Sequence, residues 1–117
     1  MKKQNIIALI VVIVLIGVFA LNILLGGQEE IASDSFAQCL AEKGAKMYGT
    51  EWCSHCNDQK EMFGEAFRFI DFIDCDADRS ICNAEKITGY PTWQINGQNF
   101  QGTKSLKALS ELAGCEL

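Results

Sequence analysis

Twenty residues, Ile6 to Leu25, form an apolar run broken only by Gly17 and Asn22. As an α-helix rising about 1.5 Å per residue, it would reach across a hydrocarbon core roughly 30 Å thick. Lys2 and Lys3 precede the run, and Gln28, Glu29 and Glu30 follow it. The positive-inside rule then keeps the short N-terminus in the cytoplasm and exports the remaining chain. The competing reading is a signal peptide cleaved after Ala20, since Val18-Phe19-Ala20 has small residues where a peptidase needs them. Continuation of the run through Leu25 favours an uncleaved anchor. The expected organisation is a transmembrane signal-anchor over 1–27 and one extracytoplasmic domain over 28–117. Its location would be the cell membrane, single-pass, facing the periplasm or the cell exterior.

Beyond Gly26 the chain has eight basic and fifteen acidic residues, a net charge of −7. So acidic a domain is a poor partner for nucleic acid or for an anionic bilayer surface. All six cysteines lie in this part: Cys39, Cys53, Cys56, Cys75, Cys82 and Cys115. An even count in an oxidising compartment implies disulfides. A domain of about ninety residues buries only a modest core, so covalent staples would help it.

Cys53 and Cys56 stand apart from the other four, in Trp52-Cys53-Ser54-His55-Cys56. If a helix starts there, the first sulfur meets unpaired N–H groups and the positive end of the helix dipole, which favour the nucleophilic thiolate. The second cysteine, one turn on, can resolve the mixed disulfide made by the first. Zinc also uses this spacing.

The surrounding pattern supplies the elements. Ser33 or Asp34 caps a helix to about Lys43, with Phe36, Cys39 and Leu40 on one face. Ala45 to Gly49 is a strand aimed at Trp52-Cys53, and the following helix carries Cys56, Met62, Phe63 and Phe67, bent at Gly64. Phe69 to Asp74 is a second strand. Asp78 caps a helix through about Ile87 that should bury Ile81, Ala84 and Ile87. Thr92–Ile95 and Gln98–Gln101 flank Asn96-Gly97, a hairpin turn. Ser105 to Ala113 closes the chain as an amphipathic helix with Leu106, Leu109 and Leu112. The order is a helix, then β-α-β-α-β-β-α, with the first two strands parallel and the last two antiparallel.

This arrangement resembles the thioredoxin superfamily, through Trp52-Cys53-Ser54-His55-Cys56 after a strand and Gly89-Tyr90-Pro91-Thr92 before the hairpin. Asn96-Gly97 and Gly102 match as well, and the similarity covers about Ala45 to Gly114. The chain is more closely similar to the thioredoxin-like domains fused to, or partnered with, bacterial and archaeal homologues of vitamin K epoxide reductase. The segments Phe36–Leu40, Gly44–Gly49, Cys75-Asp76, Gly89–Trp93 and Leu109–Gly114 carry that likeness. The implied fold is α/β and thioredoxin-like, a mixed four-stranded sheet with an extra N-terminal helix and one transmembrane helix.

The resemblance implies a dithiol carrier whose disulfide is regenerated by a quinone-linked membrane oxidase. Cys53 would be the nucleophile and Cys56 the resolving thiol, with the disulfide itself as the redox centre and no cofactor or metal. His55 would donate to, or electrostatically favour, the Cys53 thiolate, which leans towards oxidation; a plain surface histidine is the alternative. Trp52, Tyr90 and Pro91 would line the client site, with Tyr90-Pro91 joined by a cis peptide bond. Cytoplasmic thioredoxins keep a buried aspartate six residues before the first cysteine. Met47 occupies that position here, so the proton goes to water or to Glu51, unless Glu51 is simply a solvated charge.

Four cysteines remain, and three pairings are open to them. The expected bonds are Cys75–Cys82, local partners at a strand end and the next helix, and Cys39–Cys115, closing a long loop. Cys75–Cys82 could instead form a second redox relay. The expected protein is a monomeric, membrane-anchored oxidase acting on exported cysteine-containing clients, with a vitamin K epoxide reductase-like partner. The alternatives are an extracytoplasmic dithiol reductase or isomerase, such as one serving cytochrome maturation, and a structural zinc module using Cys53, Cys56 and two later cysteines.

Overall fold

A computed structural model describes residues 2–26 and 30–117, in two units that divide at Glu30. Most of the expected polar link, Gly26 to Glu30, lies outside the described residues. The first unit is one helix, α1 (Lys3–Gly26), with no buried residue and a composition apolar enough to cross a membrane. Asn22, its one strongly polar interior residue, donates from Nδ2 to the Val18 carbonyl at 2.7 Å, so that amide is bonded within the helix.

The second unit contains α2 (Asp34–Glu42), β1 (Lys46–Gly49), α3 (Ser54–Phe63), β2 (Asp71–Asp74), α4 (Arg79–Ala84), β3 (Thr92–Ile95), β4 (Gln98–Gln101) and α5 (Leu106–Ala113). The sheet runs β2-β1-β3-β4. β1 pairs parallel with β2, Met47 opposite Phe72, and antiparallel with β3, Met47 opposite Trp93. Asn96 and Gly97 both have positive φ in the two-residue turn to β4, the conformation that an Asn-Gly hairpin needs.

Serine caps start α2 and α5, whereas Asp78, expected to cap α4, makes no side-chain cap bond there. Ser33 Oγ accepts the N–H of Phe36, and Ser105 Oγ accepts that of Ala108. Phe36, Ala37 and Leu40 of α2 and Leu106, Leu109 and Ala113 of α5 are the faces turned inwards. Phe63 is the hub of the core: its ring lies 6.2 Å from Phe36, 5.9 Å from Trp93 and 6.2 Å from Phe67. α2 is thereby sealed against the end of α3.

Three expected elements differ. The helix after Cys53 ends at Phe63, where Gly64 takes φ +52°, and the chain continues to Phe69 as a 3-10 helix that holds Phe67. β2 begins at Asp71 rather than Phe69. α4 stops at Ala84, and its buried residue is Cys82, whereas Ile81 and Ala84 are exposed. The disulfide from Cys82 to Cys75 fixes which side of α4 faces inwards, and that tether overrides the apolar spacing of Ile81 and Ala84.

Candidate active site

β1 ends at Gly49, and Thr50-Glu51-Trp52 turns the chain into α3 with Cys53 as its N-cap. The Cys53 sulfur accepts the backbone N–H of Cys56 at 3.2 Å, so the cysteine takes the place that serine takes at α2 and α5. A donated N–H binds more strongly as its acceptor gains negative charge. Both Cys53 and Cys56 are free thiols. Cys53 keeps 8% of its surface exposed and Cys56 none, so only the first can be approached from solvent. Burial pushes the Cys56 thiol up to about 12, helped by its hydrogen bond with Cys53 and opposed by the Thr50 backbone and the Lys60 ammonium.

Trp52 is 71% exposed beside this pair. Its indole N–H donates to Asp76 Oδ2 at 2.6 Å, and its ring meets Tyr90 edge-on at 6.3 Å. Tyr90 packs against the cluster that includes Cys53 and Cys56, and also against the one formed by Tyr48, Cys75 and Cys82. The Tyr90–Pro91 bond is cis, and Pro91 is buried. Trp52, Cys53, Cys56 and Tyr90 are therefore gathered at one edge of the unit.

His55 is placed differently from expectation. Its imidazole points to solvent, 74% exposed, with Nδ1 3.8 Å from Asp58 one turn along α3. Among the described residues it makes no hydrogen bond to Cys53; the Cys56 N–H fills that role. The remaining cysteines form Cys39–Cys115 and Cys75–Cys82, with Cα atoms 5.9 and 5.7 Å apart. A zinc module would need two of these four as thiolates, and no cluster of metal-binding side chains occurs among the described residues.

Two residues that sequence reasoning passed over shape the site. Gly49 lies directly under Cys56: a Cβ there would stand 2.7 Å from the Cys56 sulfur and 3.2 Å from the Phe72 ring. A glycine ending a strand just before a reactive loop is a signal of close approach that could have been read. Gln59 is fully buried, and all of its hydrogen-bonding capacity is used. Its Oε1 accepts from Trp93 Nε1 at 2.9 Å and from the Lys104 N–H at 2.7 Å, while its Nε2 donates to the Lys104 carbonyl at 3.0 Å and to Met62 Sδ at 3.4 Å. Thr103 Oγ1 adds a bond to the His55 carbonyl at 3.3 Å. The first two turns of α3 are thus latched to the segment before α5. Nothing in the polar surroundings of Gln59 in sequence marks it as a core residue.

The strand order β2-β1-β3-β4, with a cysteine pair opening the helix after β1, is that of a thioredoxin sheet. Over 103 residues the chain is 41% identical to a thiol-disulfide oxidoreductase of Arabidopsis thaliana, spanning 75% of this chain and 27% of that protein. It is 32% identical over 79 residues to a protein disulfide isomerase-like protein of Oryza sativa subsp. japonica, covering 56% and 21% of the two. The fold is thioredoxin-like. A thioredoxin domain-containing protein homologue of Drosophila melanogaster is 29% identical over 102 residues, 78% of this chain and 24% of its own. The chain spans about a quarter of the length of these curated relatives. The solution structure of oxidised thioredoxin from Plasmodium falciparum superposes with a TM-score of 0.43 at 19% identity, covering 71% of this chain and 90% of that one. No family model matches the sequence.

Proposed function

We propose that this protein is a membrane-anchored, extracytoplasmic thiol–disulfide oxidoreductase that donates a Cys53–Cys56 disulfide to exported proteins. The observation that carries the reading is the asymmetry of the pair: Cys53 caps α3 with a backbone N–H on its sulfur, and Cys56 is sealed behind it. In the donating direction a client thiolate attacks Cys53, and Cys56 departs with the electron pair of the broken S–S bond. A second client thiolate then attacks the mixed disulfide and leaves Cys53 reduced. The curated relatives named as a thiol-disulfide oxidoreductase and protein disulfide isomerases support the class of chemistry.

The finer parts of the reading rest on sequence. The apolar α1 supports an anchor, and Lys2 and Lys3 before it support an extracytoplasmic domain. Reoxidation is assigned to a quinone-linked, vitamin K epoxide reductase-like enzyme in the same membrane. Trp52 and Tyr90 would form the client-facing wall, with the buried Pro91 fixing the loop behind Tyr90. His55, turned to solvent, would act through charge at the helix start rather than by a hydrogen bond to Cys53.

The relatives named as isomerases favour a second reading, in which the dithiol form reshuffles client disulfides. Equilibration with glutathione tests disulfide donation, and the redox state in cells separates it from reshuffling by a dithiol. A potential well above about −270 mV, the thioredoxin value, is expected; a value at or below it would defeat disulfide donation. Alkylation trapping in living cells should find Cys53 and Cys56 mostly joined.

A further inference from the structure

Each time the Cys53–Cys56 disulfide opens, the Cys56 sulfur must hold a negative charge in a place that water does not reach. A buried thiolate is strongly disfavoured unless a cation or hydrogen-bond donors meet it. Met47, fully buried on β1, offers neither. The groups around Cys56 are few. α3 contributes Cys53 and, four residues on along the same face, Lys60. The preceding turn contributes the Thr50 backbone; Glu51, in the same turn, reaches Lys60 rather than the sulfur. β2 contributes Phe72, whose ring shares the bare face of Gly49 with the Cys56 sulfur; Asp74 pairs with Gly49 at the strand end, and its carboxylate accepts the Asp76 N–H at 2.9 Å.

Lys60 is held in place. Its side chain is 20% exposed, its Nζ lies 3.3 Å from Glu51 Oε2, and it sits 4.2 Å from the centre of the Phe72 ring and 5.5 Å from that of Phe67. The Phe72 ring and the Cys56 sulfur both crowd the bare face of Gly49. The ring that seats the ammonium therefore borders the sulfur's pocket.

We propose that Lys60, seated on Phe72 and tethered by Glu51, is the positioning cation that meets the charge on the Cys56 sulfur whenever the Cys53–Cys56 disulfide opens. The inference rests on the exchange chemistry proposed above. A thiolate forms a new bond to Cys53 Sγ, the Cys53–Cys56 bond breaks, and its electron pair stays on Cys56 Sγ, within the field of Lys60, until the proton that the attacking thiol gave up returns through the exposed Cys53 side. No other oxidant or reductant is needed for this step. The pull of the ammonium against burial at Cys56 agrees with this role. Glu51 is 71% exposed and opposes the cation, so the two residues should act in opposite directions.

The test uses the full chain in detergent. Reduced glutathione opens the disulfide, and stopped-flow tryptophan fluorescence follows the rate. A better-stabilised leaving thiolate departs faster, so Lys60→Met should slow opening about 3- to 10-fold, with Lys60→Arg recovering most of the rate. Glu51→Gln should accelerate opening by about twofold, a gain that shrinks in 1 M salt because the carboxylate is exposed. An unchanged rate in Lys60→Met overturns the proposal. So does slowing in Glu51→Gln, which would make the pair a scaffold. Should Lys60→Met fail to fold, the sign of the Glu51→Gln effect still decides. A thioredoxin-like potential would defeat the oxidase reading while leaving the order of these rates intact.

Discussion

β1 and β2 run side by side, and each leads into a helix by way of a cysteine pair. After β1, three residues intervene before Cys53 caps the ten-residue α3, and Cys56 follows one turn later. After β2, Cys75 comes at once, and Cys82 is the fourth residue of the six-residue α4. The first pair is open, with one sulfur on a helix N-terminus and a residue of solvent access. The second pair is closed and buried behind Tyr48, with each cysteine 2% exposed. Under the proposed chemistry, placement on the helix, more than the presence of two cysteines, separates a pair that exchanges from one that braces. Tyr90 touches both clusters, so the brace also supports the wall beside the reactive pair.

The sharpest way to break this contrast is to exchange the roles of the two corners by mutation. Cys53→Ser should abolish exchange with glutathione, whereas Cys75→Ala with Cys82→Ala should leave exchange measurable. The double variant should cost about 2.5 kcal/mol of stability, the chain-entropy value for so short a loop, read by urea unfolding. Loss of exchange in the double variant, with the fold intact, would make Cys75–Cys82 a relay. A smaller effect is expected at Gly49→Ala. The added methyl must displace the Cys56 sulfur or the Phe72 ring, costing about 1–3 kcal/mol and slowing exchange. No stability loss there would mean that the β1 corner has slack.

Alkali should also tell the corners apart. The Cys56 thiol is raised to about 12 in the fold, against 9.0 for an unburied thiol. Between those values the unfolded chain has shed the proton that the native dithiol form still binds, so stability falls as pH rises through the window. The effect belongs to the dithiol form alone. Unfolding of the dithiol and disulfide forms from pH 8 upwards should therefore diverge above about 9. Parallel curves would contradict the burial of Cys56. The smallest effect, about 1 kcal/mol or less, is expected from Asp76→Asn, which weakens an exposed hydrogen bond to Trp52. Trp52 fluorescence should change with little shift in unfolding midpoint.

Much of this was legible from local chemistry. Asn96-Gly97 dictates its turn, Ser33 is one of the two caps that the pattern offers α2, and the strand before Trp52-Cys53 leads into α3 at the cysteine pair. What escaped were features set by tertiary contact. Gln59 is polar yet central, because Trp93 and Lys104 present groups that only a buried amide can satisfy together. Ile81 and Ala84 follow a helical spacing that the Cys75–Cys82 bond overrules. His55 sits where a helper to Cys53 would be sought, but the first turn of α3 directs it outwards to Asp58. Lys60 reads in sequence as a solvated charge on a helix, and only the fold brings aromatic rings beneath it.

The Cys39–Cys115 bond joins residues 76 apart in sequence. In covalent terms it turns nearly the whole globular unit into a ring, with β1 to β4, α3, Cys53 and Cys56 inside it. A protease that cuts any one loop between those residues opens the ring without releasing a fragment. The nicked protein would migrate as a single species until a reductant severed the bond. In a compartment where peptide bonds are at risk and thiols are oxidised, a single backbone cut would leave the pieces of the reactive corner tied together.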